Sequence, residues 1–230
     1  MKRFVCALLI SLMLATAPAF PISQKKLKEI EHRSMHEIVM LERDERGETI
    51  GGGLCTAYAI GPHTLLTAQH CNANTSRVYI DPVSRDAVKK DQAKSYKIVS
   101  REFDNEDHML LDVEGTDFKD TIYLGPNVRT PVQGESVYFW GNPSGVKDQY
   151  REGLVSGSIK YDGDGDVNAK VGSTLYIEQM PAVGGDSGSA IFSAKDGALV
   201  GIVTFGIAGG KFTGSFPIQF TGEQIANSLK

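Results

Sequence analysis

Two short strings concentrate residue types suited to nucleophilic chemistry. Leu65-Leu66-Thr67-Ala68-Gln69-His70-Cys71 ends an apolar run in a histidine, and Gly184-Gly185-Asp186-Ser187-Gly188-Ser189 sets a serine inside a glycine-rich turn. A serine hydroxyl is a poor nucleophile until a base takes its proton, and its attack on a carbonyl creates an oxyanion that needs preset donors. Glycines at 184, 185 and 188 let a turn aim successive backbone N–H groups into one concavity. Together the strings point to serine attack on a carbonyl carbon.

The elements that must position these strings read as β structure. Short runs rich in Val, Ile, Leu, Tyr and Phe recur at 37–41, 54–60, 64–68, 77–80, 96–101, 109–113, 121–124, 136–140, 153–159, 174–178, 189–192, 199–205 and 216–220. Turn signals separate them, among them Gly61-Pro62, Asp81-Pro82 and Asn142-Pro143-Ser144-Gly145. Strands at such spacing argue an all-β barrel or sandwich, and a dozen of them suffice for two six-stranded barrels. Residues 37–128 are expected to form an N-terminal barrel, and residues 129–230 a C-terminal barrel with a short closing helix over 222–230. The chain crosses between the halves at 121–131. Residues 20–36, with the charged stretch QKKLKEIEHR, read as an N-terminal arm or propeptide.

Composition excludes several classes. The 230 residues are 41% hydrophobic and 23% charged, a globular balance. A net charge of −4 leaves no basic excess to drive nucleic-acid binding or to hold an anionic membrane. Lys2 and Arg3, the apolar run 4–15 and Ala17-Pro18-Ala19 form a secretory leader cut after Ala19. The run is too short to span a bilayer, so no stable anchor is expected. Export to a periplasm or the outside follows, and there the remaining pair, Cys55 and Cys71, reads as one disulfide.

At these residues the chain resembles the trypsin-like (chymotrypsin-fold) serine endopeptidases, in their compact microbial single-domain branch. The resemblance rests on Gly53-Leu54-Cys55 with Leu66-Thr67-Ala68-Gln69-His70-Cys71, on Asp107-His108-Met109-Leu110-Leu111, and on Gly185-Asp186-Ser187-Gly188-Ser189. The strings at 138–145 and 199–204 look similar too, and the order His, Asp, Ser is the family's. It implies two Greek-key barrels, with His70 as base and then acid, Asp107 fixing its tautomer, and Ser187 as nucleophile. The N–H groups of Gly185 and Ser187 would form the oxyanion hole. Asp104 and Asp112 compete for the acid's role and are read as solvated surface charge. The Thr204 hydroxyl could help hold Asp107, and Thr204-Phe205-Gly206 would pair with substrate as an edge strand.

The same resemblance puts Pro181 at the floor of a specificity pocket with Gly206 and Gly214 as walls, which favours an apolar or aromatic substrate side chain. Lys211 offers the contrary preference for an acidic one. One departure concerns Asp186: the family pairs this acid with a new Ile-Val-Gly-Gly amino terminus, but Ile50-Gly51-Gly52-Gly53 lies too close to Cys55 to serve, so either Asp186 finds another partner or the enzyme matures differently, for instance by a cut near Arg33. His32 and His36 read as a solvated helix face, Asp162, Asp164 and Asp166 as a hairpin tip, His108 as surface and Trp140 as core. The expected protein is a monomer that acts on protein or peptide substrates without cofactor or metal. A non-catalytic binding protein on this scaffold and an esterase are the alternatives.

Overall fold

The computed structural model describes residues 23–124, 128–163 and 167–229; the leader expected at 1–19, residues 125–127 of the crossing expected at 121–131 and residues 164–166 of the expected hairpin tip lie outside them. Helix α1 (Gln24–Arg33) leads into β1 (Met35–Arg43), β2 (Thr49–Ala59), β3 (Thr64–Ala68), β4 (Arg77–Ile80), the short α2 (Arg85–Lys89), β5 (Ser95–Phe103) and β6 (His108–Glu114). Then follow β7 (Ser136–Gly141), β8 (Gln149–Lys160), β9 (Thr174–Glu178), β10 (Ala190–Ser193), β11 (Leu199–Ile207), β12 (Phe212–Phe216) and α3 (Gly222–Ser228). They close into two antiparallel barrels of identical order, β1-β2-β3-β6-β5-β4 and β7-β8-β9-β12-β11-β10. This is the two-barrel architecture expected, with its short C-terminal helix.

Side-chain alternation explains how each strand serves two cores. Along β3, Leu65 points into the first barrel beside Ile38, Met109 and Leu111, whereas Leu66 points the other way, against Tyr58, Leu110, Tyr138 and Ile202. That second cluster is the apolar seam between the barrels. Val137, Phe139, Ile191, Val200 and Val203 fill the second barrel.

Three segments differ from the sequence reading, and a fourth, the helix-compatible charged arm, forms its helix but docks on the barrels. Residues 121–124 form no strand, although Ile122 and Leu124 still bury in the seam. The strand expected at 216–220 lies earlier, at Phe212–Phe216, because Pro217 cannot donate to a ladder. Helix α2, started by the Ser84 cap, has no counterpart in the sequence reading because a single turn is too short to leave a helical period. Lastly, the charged arm is a docked helix: Ser23 caps it, Leu27 sits on Gly197, and Glu31 is buried with an oxygen accepting from Tyr138 Oη at 2.6 Å. His32 stacks on Trp140 with ring centroids 4.4 Å apart.

Candidate active site

The first barrel presents a histidine and an acid at one end. Strand β3 runs into a single 3-10 turn at Gln69–Cys71, and Asp107 stands one residue before β6. The Ala68↔His108 pairing and a 2.7 Å bond from Gln69 N–H to the Asp107 carbonyl bring the two segments together. Asp107 takes a left-handed backbone (φ 64°), which turns its side chain back under the histidine. His70 Nδ1 and Asp107 Oδ2 are 2.6 Å apart. The other carboxylate oxygen accepts from His70 N–H at 3.1 Å, Asn168 N–H at 3.1 Å and Asn168 Nδ2 at 3.3 Å. Asp107 is fully buried, and the Cys55–Cys71 disulfide ties the histidine turn to β2.

The second barrel presents the serine, on a turn between β9 and β10. Gly185 and Gly188 both have positive φ, 100° and 87°. A side chain at Gly185 would strike the Asn142 carbonyl oxygen, and one at Gly188 the carbonyl oxygen of Thr56, so space as well as conformation demands glycine there. Asp186 is buried between them. Its Oδ1 accepts from Arg151 Nη1 at 3.0 Å and its Oδ2 from Val183 N–H at 3.0 Å. Burial pushes this carboxyl up, a shift that the Val183 and Arg151 contacts oppose. Arg151 on β8 is therefore the partner that Asp186 required, supplied from within the fold.

Donors near Ser187 remain open. Asp186 N–H bonds to Val183 O and Gly188 N–H to Val203 O, but the N–H groups of Gly185 and Ser187 have no acceptor among the described residues. The Gly184 carbonyl accepts from Ser144 N–H at 2.6 Å. In a trans peptide the C=O and N–H point in opposite directions, so this bond turns Gly185 N–H away from the 142–145 turn.

His70 and Ser187 line one cleft of about 470 Å³, together with Val167, Ala182, Val183, Gly184, Val203, Thr204, Phe205, Gly206, Gly209 and Gly210. Two residues expected there lie elsewhere. Pro181 is exposed outside the lining, with Ala182 and Val183 in its stead; Gly214 is covered by the Phe205 ring, whose edge would stand 3.0 Å from an added Cβ. Lys211 is exposed and also outside the lining.

Several polar residues read as surface are interior. The Asp104 side chain, on the connection between β5 and β6, is 1% exposed and pairs through Oδ2 with Nδ1 of the fully buried His108 at 2.7 Å; Gln219 N–H donates to the same oxygen at 3.0 Å, and the Phe220 ring stands against His108. Burial pushes Asp104 up, but the His108 bond and charge and the N–H groups of Gln219 and Glu106 outweigh it and hold the carboxyl below its ordinary range. Asp112, half-buried rather than interior, accepts from the Thr64 and Ser100 hydroxyls, both at 2.7 Å. Thr204 bonds to Ile202 O at 3.3 Å, so Asn168 does the service for Asp107 expected of Thr204. Nothing local in the sequence singles out Asn168 or Arg151, since each acts on an element distant along the chain.

Residues 55–202 match the trypsin-like peptidase domain. Among solved structures, the active form of the Rv3671c protease from M. tuberculosis superposes with a TM-score of 0.61 at 17% identity, covering 88% of this chain and 82% of that one. The HtrA-type protease AlgW with a tripeptide gives 0.63 at 19% identity, covering 91% of this chain and 64% of that one, so the chain spans less than two thirds of AlgW's length. No curated protein sequence matches the chain.

Proposed function

The chain belongs to the trypsin-like peptidase family, and on that premise we propose that it is an exported serine endopeptidase that cuts peptide bonds through an acyl-enzyme. Asp107 accepts the Nδ1–H of His70, which leaves Nε2 as the base for the Ser187 hydroxyl. Ser187 Oγ attacks the scissile carbonyl carbon, and Nε2 takes the hydroxyl proton. The oxyanion forms against the N–H groups of Gly185 and Ser187. On collapse, His70 returns the proton to the leaving amine, and a water deprotonated by His70 then releases the acid product.

The observation that carries this reading is one cleft holding both His70 and Ser187, with Asp107 behind the histidine and two unclaimed N–H donors on the serine turn. Pairing of β11 with β10 stops at Ile202, which leaves Thr204, Phe205 and Gly206 to offer a backbone edge to an extended peptide. Among the described residues, His70 is the one ionisable side chain of the lining, which favours an apolar residue before the cut bond. The buried Arg151–Asp186 pair supports an active turn without insertion of a new amino terminus. The leader at 1–19 is the basis for export, and the docked α1 argues that the arm stays with the mature, monomeric enzyme.

Ser187→Ala tests the reading directly. The variant should lose at least ~10⁴-fold in kcat on an unfolded protein substrate, and its labelling by an organophosphate-type probe should vanish. Cleavage at the wild-type rate by the alanine variant would overturn it.

A further inference from the structure

We infer that Thr56, on the first barrel, is the positioning residue that sets the oxyanion donors of the second. It is fully buried on β2, next to Cys55, and it faces the serine turn across the seam. Its backbone N–H donates to the Ser187 carbonyl at 2.8 Å. Its hydroxyl donates to the Gly185 carbonyl at 2.8 Å and accepts from both Asn142 N–H and Asn142 Nδ2, each at 3.1 Å. A hydroxyl has one proton and two lone pairs, so all of its capacity is spent on this junction and its direction is fixed. In turn the Thr56 carbonyl accepts from Thr67 Oγ1 at 2.7 Å, which anchors the residue to β3, the strand that leads into His70.

The consequence falls on the two N–H groups assigned to the oxyanion. Gly185 lies between two peptide units: the one before it is held by Ser144 N–H on the Gly184 carbonyl, the one after it by the Thr56 hydroxyl on its own carbonyl. Glycine at φ 100° has no side chain to resist rotation, so these two bonds, together with Asp186 N–H on the Val183 carbonyl at 3.0 Å, hold its N–H in place. Thr56 grips Ser187 at the same time through its backbone. Asn142, which opens the 142–145 turn, bonds to the same hydroxyl, so Thr56 joins both supports of Gly185. An oxyanion donor is effective only when it is aimed before charge develops. Thr56 touches no reacting atom; it acts through Gly185.

This inference rests on the proposed peptidase reaction, and the test separates the two. Thr56→Val keeps the shape and the backbone bond but strips the hydroxyl, leaving the Gly185 carbonyl and two Asn142 N–H groups unmatched; Thr56→Ser keeps the hydroxyl. Steady-state kinetics on a chromogenic peptide should give a kcat about 100-fold lower for the valine variant, the scale of losing one oxyanion donor, with KM within about twofold. Affinity for a peptide aldehyde, whose adduct carries the oxyanion, should fall in proportion to kcat/KM. The serine variant should recover kcat to within about fivefold of wild type. If Thr56→Val does not fold, as read by its thermal melt, Thr56→Ala carries the same expectations. An inactive wild-type protein would sink the peptidase reading itself. An active wild type with valine and alanine variants of unchanged kcat, or with losses confined to KM, or with no rescue by serine, would overturn the role of Thr56.

Discussion

In the first barrel, ladder register delivers the chemistry: Thr67↔Met109 and Ala68↔His108 hold the ends of β3 and β6 side by side, and His70 and Asp107 extend from those ends. In the second barrel the strand order is the same, but Ser187 comes from residues 179–189, a stretch without regular structure that is held by turn bonds and by Arg151. A disulfide staples the first arrangement; a buried ion pair braces the second. Each barrel also lends a hand to the other. Thr56 crosses from the first to the serine turn, and Asn168 crosses from the β8–β9 connection of the second to Asp107. Two similar barrels thus make one site because each supplies the support that the other's irregular segment lacks.

Arg151→Met should expose the dependence on the ion pair most severely. Asp186 is fully buried and the Arg151 side chain 15% exposed, so the variant strands a carboxylate that water cannot reach. Breaking a buried pair by removing one partner costs about 3–5 kcal/mol. Chemical denaturation should record a loss of that size, with activity falling through disorder of the serine turn. An Arg151→Met protein as stable and active as wild type would mean that the second barrel's turn is self-supporting, and the contrast with the stapled first barrel would collapse.

A second contrast concerns buried acids, and it has a sign. In the first barrel Asp104 is held below its ordinary range: burial pushes it up, but the His108 contact and the N–H groups of Gln219 and Glu106 together outweigh burial. In the second, Glu178 is buried with a bond from Ser215 Oγ at 2.6 Å and no partner for Oε2 among the described residues, and burial pushes it up to about 8. Folded Glu178 therefore keeps its proton where the unfolded chain has lost it, between about 4.5 and 8. Its effect on stability is nil below that window, grows unfavourable as pH rises through it, and is constant above; Asp104 runs the other way, stabilising at neutral pH and losing that contribution in acid. Glu178→Gln should gain on wild type progressively between pH 4.5 and 8, by up to about 5 kcal/mol, read from denaturation midpoints across pH. Parallel profiles for the two proteins would show that Glu178 finds a partner or water.

The sequence was most legible where local pattern and chemistry coincide. The apolar runs of β3 and β6 and the glycines around Ser187 mark the strands and the turn without any knowledge of tertiary contacts. It was least legible where a polar side chain acts across the seam. Asp104 and His108 looked like surface residues because a turn and a charged neighbour precede β6, and only the return of residues 217–220 over them makes them interior. Pro181 was placed by counting back from Ser187, a procedure blind to how an irregular segment folds. Thr56 lies inside the run 54–60, where nothing sets it apart from any other β-branched strand residue. Arg151 sits on a strand whose exposed, polar neighbours advertise a solvated face.

Asn168→Ala is the mildest way to sharpen the reciprocity of the barrels. The substitution removes only the Nδ2 contact to Asp107 Oδ1, at 3.3 Å the longest of the three that this oxygen receives. His70 N–H and Asn168 N–H, both at 3.1 Å, remain, and the backbone there is pinned by the Glu106↔Ala169 bridge and by Lys170 N–H on the Asn105 carbonyl at 2.9 Å. One hydrogen bond to a charged group at this length is worth about 1 kcal/mol, so kcat/KM should fall roughly fivefold with little change in melting temperature. A loss of 100-fold would mean that the asparagine side chain, rather than the backbone of the second barrel, holds the acid of the first. No loss at all would mean that the backbone alone suffices, as it does in the grip of Thr56 N–H on Ser187.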